Sequence, residues 1–167
     1  MFESTLSELL YGKGAHANPI ACVEDLSAIL ASRTLDGFPH STWQLVQHMN
    51  YWMEYELHRI AGARPAYPEH ASASWLPDSA PAAEADWTKA VARFRELIAR
   101  LAEVAHSGAQ ALSRVVQPAH AQQGQHDSTV GAILWQLASH NSYHTGQIAM
   151  LRRHLNAWPP PSGGDTW

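Results

Sequence analysis

At 167 residues the chain has the length of one domain, with room for a substantial core. Hydrophobic residues at 46% against 16% charged exclude a disordered chain, and a formal net charge of -4 leaves no basic footprint for nucleic acid or anionic lipid. The single cysteine, Cys22, excludes an internal disulfide and a thiolate metal cage.

The opening stretch, "MFESTLSELLYGKG", has an acidic residue early and a lysine late, the reverse of a secretory signal. No uncharged apolar run approaches the roughly 20 residues of a membrane span. A soluble, cytoplasmic protein with no membrane association is the expectation. Residues from about 1 to 20 read as an N-terminal extension or a separate short helix. Next, "VEDLSAILASRTLDG" gathers Leu26, Ile29 and Leu30, ends at Gly37, and reads as a short first helix.

"STWQLVQHMNYWMEYELHRIAG" predicts a second helix. Ser41 and Gln44 match a capping box and Gly62 is a natural stop. Leu45, Met49, Trp52 and Ile60 form its buried stripe, with His48 at the edge. The following "ARPAYPEHASASWLPDSAPAA" holds four prolines and no period, a loop long enough to be functional. A third helix covers "EADWTKAVARFRELIARLAEVA", with Trp87, Val91, Phe94, Ile98, Leu101 and Ala105 inward. Lys89, Arg93, Arg95, Glu96 and Arg100 make its solvated face.

The fourth helix has the strongest pattern. In "DSTVGAILWQLASHNSYHTGQIAMLRRHL", residues Val130, Ile133, Leu137, His140, His144, Ile148, Leu151 and Leu155 recur at steps of three and four. Asp127 or Ser128 is the expected cap, and the prolines at 159 to 161 open a C-terminal tail over 158–167. No segment alternates with period two. Four amphipathic helices in a single domain, residues 1–167, predict an all-α four-helix bundle.

Two histidines on an apolar stripe require an explanation. With 11 histidines in the chain, random placement gives about 0.7 pairs at i,i+4, so spacing alone decides nothing. Their place on the buried face does: unpartnered buried imidazoles are unfavourable, and either a divalent cation or hydrogen bonds to backbone and hydroxyls must satisfy them. His48 supplies a third nitrogen from a facing helix, and three protein ligands with an open position are the arrangement of catalytic zinc. His16, His40, His58, His70, His106, His120, His126 and His154 are expected at the surface.

These residues carry a family likeness. "STWQLVQHMNYWMEYEL", with the later "SHNSYHTGQIAMLRR", resembles the DinB/YfiT-like superfamily from about "GAHANP" to the C-terminus. Its lone helix-two histidine and distant H-x3-H-x-G-Q motif correspond to His48, His140, His144, Gly146 and Gln147. The resemblance implies a four-helix bundle, commonly a homodimer, whose three histidines hold a divalent metal such as zinc or nickel. Relatives include S-transferases and isomerases that use a low-molecular-weight thiol, and metal-dependent hydrolases. The short, irregular first helix is the one departure.

No carboxylate accompanies the motif as a general base. Glu54 and Glu56 point elsewhere by helical register, and Glu69 in the proline-rich loop is the remaining source. Gln147, one turn beyond His144, is placed to orient a ligand or water, or to be an interface polar residue. Tyr51, Trp52 and Tyr143 read as core aromatics or as the wall of a pocket above the metal, and Arg152 as a solvent-facing arginine or an anion contact. Two functions follow. One is a metal-dependent enzyme, a thiol S-transferase or hydrolase acting on a small molecule; the other is a non-catalytic metal-binding or stress-response protein.

Overall fold

A computed structural model describes residues 2–117 and 127–164 of the chain. Four helices carry the architecture: α1 (Phe2–Leu10), α4 (Thr42–Ile60), α5 (Glu84–Ala105) and α7 (Val130–His154). Short helices α2 (Ala21–Glu24), α3 (Ala28–Ala31) and α6 (Ala109–Leu112) lie in the connections. The long helices close a ring in which α4 packs on α5 and α7, and α1 packs on the same two. The fold is the all-α bundle that the periodicity predicts.

Local chemistry explains where the elements begin. Ser41 accepts from the Gln44 N–H while the Gln44 side chain accepts from the Ser41 N–H, so the capping box is complete. Helix α7 differs from expectation: Thr129, rather than Asp127 or Ser128, caps it by accepting from Ala132 N at 3.2 Å. Ser128 and Thr129 instead pair as a short strand, β2, with Val115–Val116, β1. Two residues a side are too few to leave an alternating pattern in the sequence.

The buried face of α4 keeps the expected Leu45 and Met49 but is centred further round than the expected stripe. Val46, Met49, Met53 and Leu57 are buried, whereas Trp52 and Ile60 are only partly covered. That rotation turns His48 fully inward, where it is 6% exposed.

The segment expected to form one first helix is broken into α2 and α3, and each half is tied to a different partner. Ser27 caps α3, Glu84 accepts from Ala28 N at 2.9 Å, and Trp87 donates its indole N–H to Leu26 O at 2.5 Å. The corresponding bundle position belongs to α1, whose Leu6 and Leu10 reach the core at 0% and 1% exposure. Burying each leucine contributes about 1.5–3 kcal/mol.

Arg152 corrects another expectation. It is 1% exposed and not solvent-facing. Its guanidinium grips Asp25 through both carboxylate oxygens at 2.6 and 2.9 Å, and donates to Cys22 O and Ala157 O. The paired guanidinium holds the Asp25 carboxyl below its usual pKa, while burial pushes the Cys22 thiol up to about 11. This bidentate pair fastens α2 and the chain after α7 to the last turn of α7.

Arg152 is buried while Asp25 keeps partial access to solvent, so removing Asp25 leaves a buried guanidinium without its counter-charge. Asp25→Ala is therefore expected to destabilise the protein by about 3 kcal/mol, read from urea unfolding midpoints. A loss under about 0.5 kcal/mol would show that Arg152 is satisfied by carbonyls alone.

Candidate metal centre

Helix α4 brings His48, and α7 brings His140 and His144, to one point in the bundle. Their ligand nitrogens all lie within 4.8 Å of one another. His140 Nε2 is 3.1 Å from His48 Nε2 and 3.2 Å from His144 Nε2. Zinc–imidazole bonds of about 2.0–2.1 Å separate two ligand nitrogens by about 2.9 Å at a right angle and about 3.4 Å at a tetrahedral one. The observed separations fall between these limits.

The outer nitrogens fix which atom carries the proton. His48 Nδ1 faces Ser74 O at 3.3 Å, His140 Nδ1 faces Asn141 Oδ1 at 3.3 Å, and His144 Nδ1 faces Gln147 Oε1 at 2.7 Å. Each of those oxygens only accepts, so each neutral ring donates from Nδ1. The Asn141 amide donates to Met53 Sδ, and the Gln147 amide donates to the Tyr143 hydroxyl at 3.4 Å. Three Nε2 lone pairs then converge with no proton between them. A cation is the natural partner for that arrangement.

Electrostatics act in the same direction. Burial, reinforced by the neighbouring imidazoles, lowers the His48 pKa from 6.5 to about 3. Burial likewise brings His144 down to about 4 against the opposing Gln147 hydrogen bond, and lowers His140. The rings are neutral ligands at physiological pH.

Carboxylates are held away. Glu54 pairs with Arg93, and Glu56, its pKa raised by burial, pairs with Arg59 at 2.8 Å. Glu69 is exposed, and among the described residues no carboxylate or thiol joins the three nitrogens.

The aromatic surroundings depart from the sequence expectation. Tyr143 is 66% exposed and not a core residue; its ring stands edge-on to His144 at 5.1 Å. Tyr51 and Trp52 are partly buried, with Trp52 edge-on to His48 at 6.4 Å. Trp75, from the proline-rich loop, stacks flat on His48 with centroids 3.7 Å apart and also meets His144 edge-on at 5.7 Å. His40 covers the other face of Trp75 at 3.7 Å, so it is half-buried. His16 is half-buried as well, with Nδ1 against Ala17 O at 2.8 Å. Both were expected at the surface. His58, His70, His106 and His154 are exposed, while His120 and His126 lie outside the described residues. The tryptophan in an otherwise small-residue run, "HASASWLP", was the available signal for Trp75; its ring partner was not.

A helical bundle with three inward imidazoles from two facing helices defines a protein able to hold a divalent metal. The chain belongs to the DinB superfamily, whose family model matches residues 15–148 and so spans all three histidines. Comparisons with curated proteins and with solved structures returned no match.

His48→Ala is expected to lose stoichiometric metal during gel filtration, checked by metal analysis of the eluted protein. One tight metal per chain in that variant would refute the triad. The lowered pKa values also set a pH dependence. Between the ordinary 6.5 and the lowered values near 3 and 4, the unfolded chain binds protons that the folded chain refuses. Metal-free protein is therefore expected to lose stability as pH falls below about 6.5, with a smaller slope in His48→Phe. Thermal melts of chelator-treated protein across that range measure both slopes.

Proposed function

We propose that the protein is a divalent-metal-dependent enzyme, and that its reaction is transfer of a small thiol's sulfur to an electrophilic carbon. The observation that carries this reading is the convergence of three neutral imidazole nitrogens with, among the described residues, no carboxylate beside them. A cation held there supplies Lewis acidity and lowers the pKa of an acid that joins it. With no carboxylate joining the three nitrogens among the described residues, that lowering is the means of deprotonation. A thiol begins near pKa 8.5 and water near 15.7, so the thiol needs far the smaller shift.

The chain's own residues then have defined parts. Gln147 and Ser74 hold the protons of His144 and His48 on Nδ1, keeping Nε2 available. Trp75 covers one face of His48 and Trp52 meets the ring edge-on, which keeps it from water. Tyr143, exposed beside His144, borders the approach for a small-molecule substrate. In the transfer a carbon–sulfur bond forms, the bond to the leaving group breaks, and the thiol proton passes to solvent.

Cobalt(II)-loaded protein titrated with small thiols is expected to develop a sulfur-to-cobalt charge-transfer band. Ester hydrolysis with no such band would favour a hydrolase. Inertness toward thiols and esters alike would leave a non-catalytic metal-binding protein.

A further inference from the structure

The loop between α4 and α5, residues 63–83, is fastened along one face of α4. Ser41 Oγ donates to Ser79 O at 2.6 Å, Gln44 Nε2 to Leu76 O at 2.8 Å, and His48 Nδ1 to Ser74 O at 3.3 Å. Positions 41, 44 and 48 follow one another at steps of three and four, so one side of α4 and its cap grips three loop carbonyls, those of Ser79, Leu76 and Ser74. The last grip in that row is made by a ring of the metal centre.

Between these anchors Trp75 projects into a slot. Its ring is nearly parallel to both neighbours, 6° from His48 and 8° from His40, each with centroids 3.7 Å apart. The same indole stands at 81° to His144. It therefore touches imidazoles from both helices that build the site. His40 is fixed from behind: it immediately precedes the capping box of Ser41 and Gln44, and its Nδ1 is buried without a hydrogen-bond partner. Stacking on Trp75 joins that ring to the site.

We propose that Trp75, backed by His40, is the positioning element of the metal centre, and that docking of the 63–83 loop is thermodynamically coupled to metal loading. The proposal rests on the three-histidine metal reading of the site. Its physical basis is the division of labour within His48. Coordination at Nε2 requires the proton on Nδ1, and Nδ1 is the atom that holds Ser74 O. Loop and cation thus bind opposite nitrogens of one ring, and each favours the tautomer the other needs. Such coupling is reciprocal: metal tightens the loop as much as the docked loop tightens metal. The stack adds orientation: Trp75, itself held between His40 and His48, lies flat on one face of His48 at 3.7 Å and opposes a tilt of that ring toward it.

The test measures zinc affinity by chelator competition in wild type, Trp75→Ala, Trp75→Phe, His40→Ala and His40→Phe. Trp75→Ala and His40→Ala are expected to bind zinc about 10- to 100-fold more weakly, the usual effect of removing a group that orients a metal-ligating histidine. Both phenylalanine variants are expected to stay close to wild type, because they keep a flat ring in the slot. Alanine variants that bind zinc like wild type overturn the proposal while leaving the metal centre intact. Failure of wild type itself to bind stoichiometric zinc overturns the metal reading beneath it.

Amide exchange on the unaltered protein gives a readout independent of folding in the variants. Zinc is expected to slow exchange across residues 72–79 relative to the metal-free form. Equal exchange in the two forms overturns the coupling.

Discussion

The structure turns on where three protons sit. Were any one of the histidines to carry its proton on Nε2, the cluster would become a hydrogen-bonded imidazole pair with no place for a cation. Carbonyl and amide oxygens on the outer side of each ring prevent this, because an oxygen that only accepts compels Nδ1 to donate. The choice is enforced from three different places: a loop carbonyl for His48, the adjacent residue for His140, and the next helical turn for His144. The candidate metal centre is therefore not just three histidines at the right spacing. It is three histidines whose second nitrogens have all been occupied.

That requirement explains the unusual buried face of α7. Asn141, His144, Thr145 and Arg152 are all buried on a helix that elsewhere contributes leucine and isoleucine. Most of this polarity is partnered. Asn141 is held by Met53 and faces His140, His144 is held by Gln147, and Arg152 is neutralised by Asp25. From His144 to Arg152 is about 12 Å along the helix. The ion pair, which ties α2 to the end of α7, and the imidazole cluster, which ties α4 to its middle, thus brace one helix at two levels. Buried charge of this kind contributes little net stability over an apolar pair, but it fixes register: only one placement of α7 satisfies both clusters.

What the sequence revealed follows from how local each feature is. The limits of α5 were legible from its period, and the capping box of α4 because Ser41 and Gln44 lie three residues apart in one element. His48, His140 and His144 were legible because two share a stripe and the third interrupts another. Arg152 was misread because its partner, Asp25, is 127 residues away and nothing near it signals a buried charge. The short first helices were misread because the break at Asp25 is held by Trp87 and Glu84 of a distant helix. Trp75 and His40 were missed for the same reason. A stack of Trp75 between His40 and His48 has no periodicity, and exists only once the loop has folded back onto α4.

The chemistry follows from charge rather than from spacing. Carboxylates are plentiful in this chain, yet the two that share α4 with His48 are already engaged: Glu54 meets Arg93 and Glu56 meets Arg59. A cation held by three neutral imidazoles keeps its full charge, whereas a carboxylate ligand would have cancelled part of it. The undiminished charge favours an anion as the next ligand and lowers the pKa of any acid that takes that place. The same absence removes the base that a hydrolytic site ordinarily uses to steer water. The donor set that makes deprotonation easiest is thus also the one least equipped for general-base catalysis. A nucleophile that is already acidic, compact and anionic once bound meets both conditions, and a thiol is the common biological group that does.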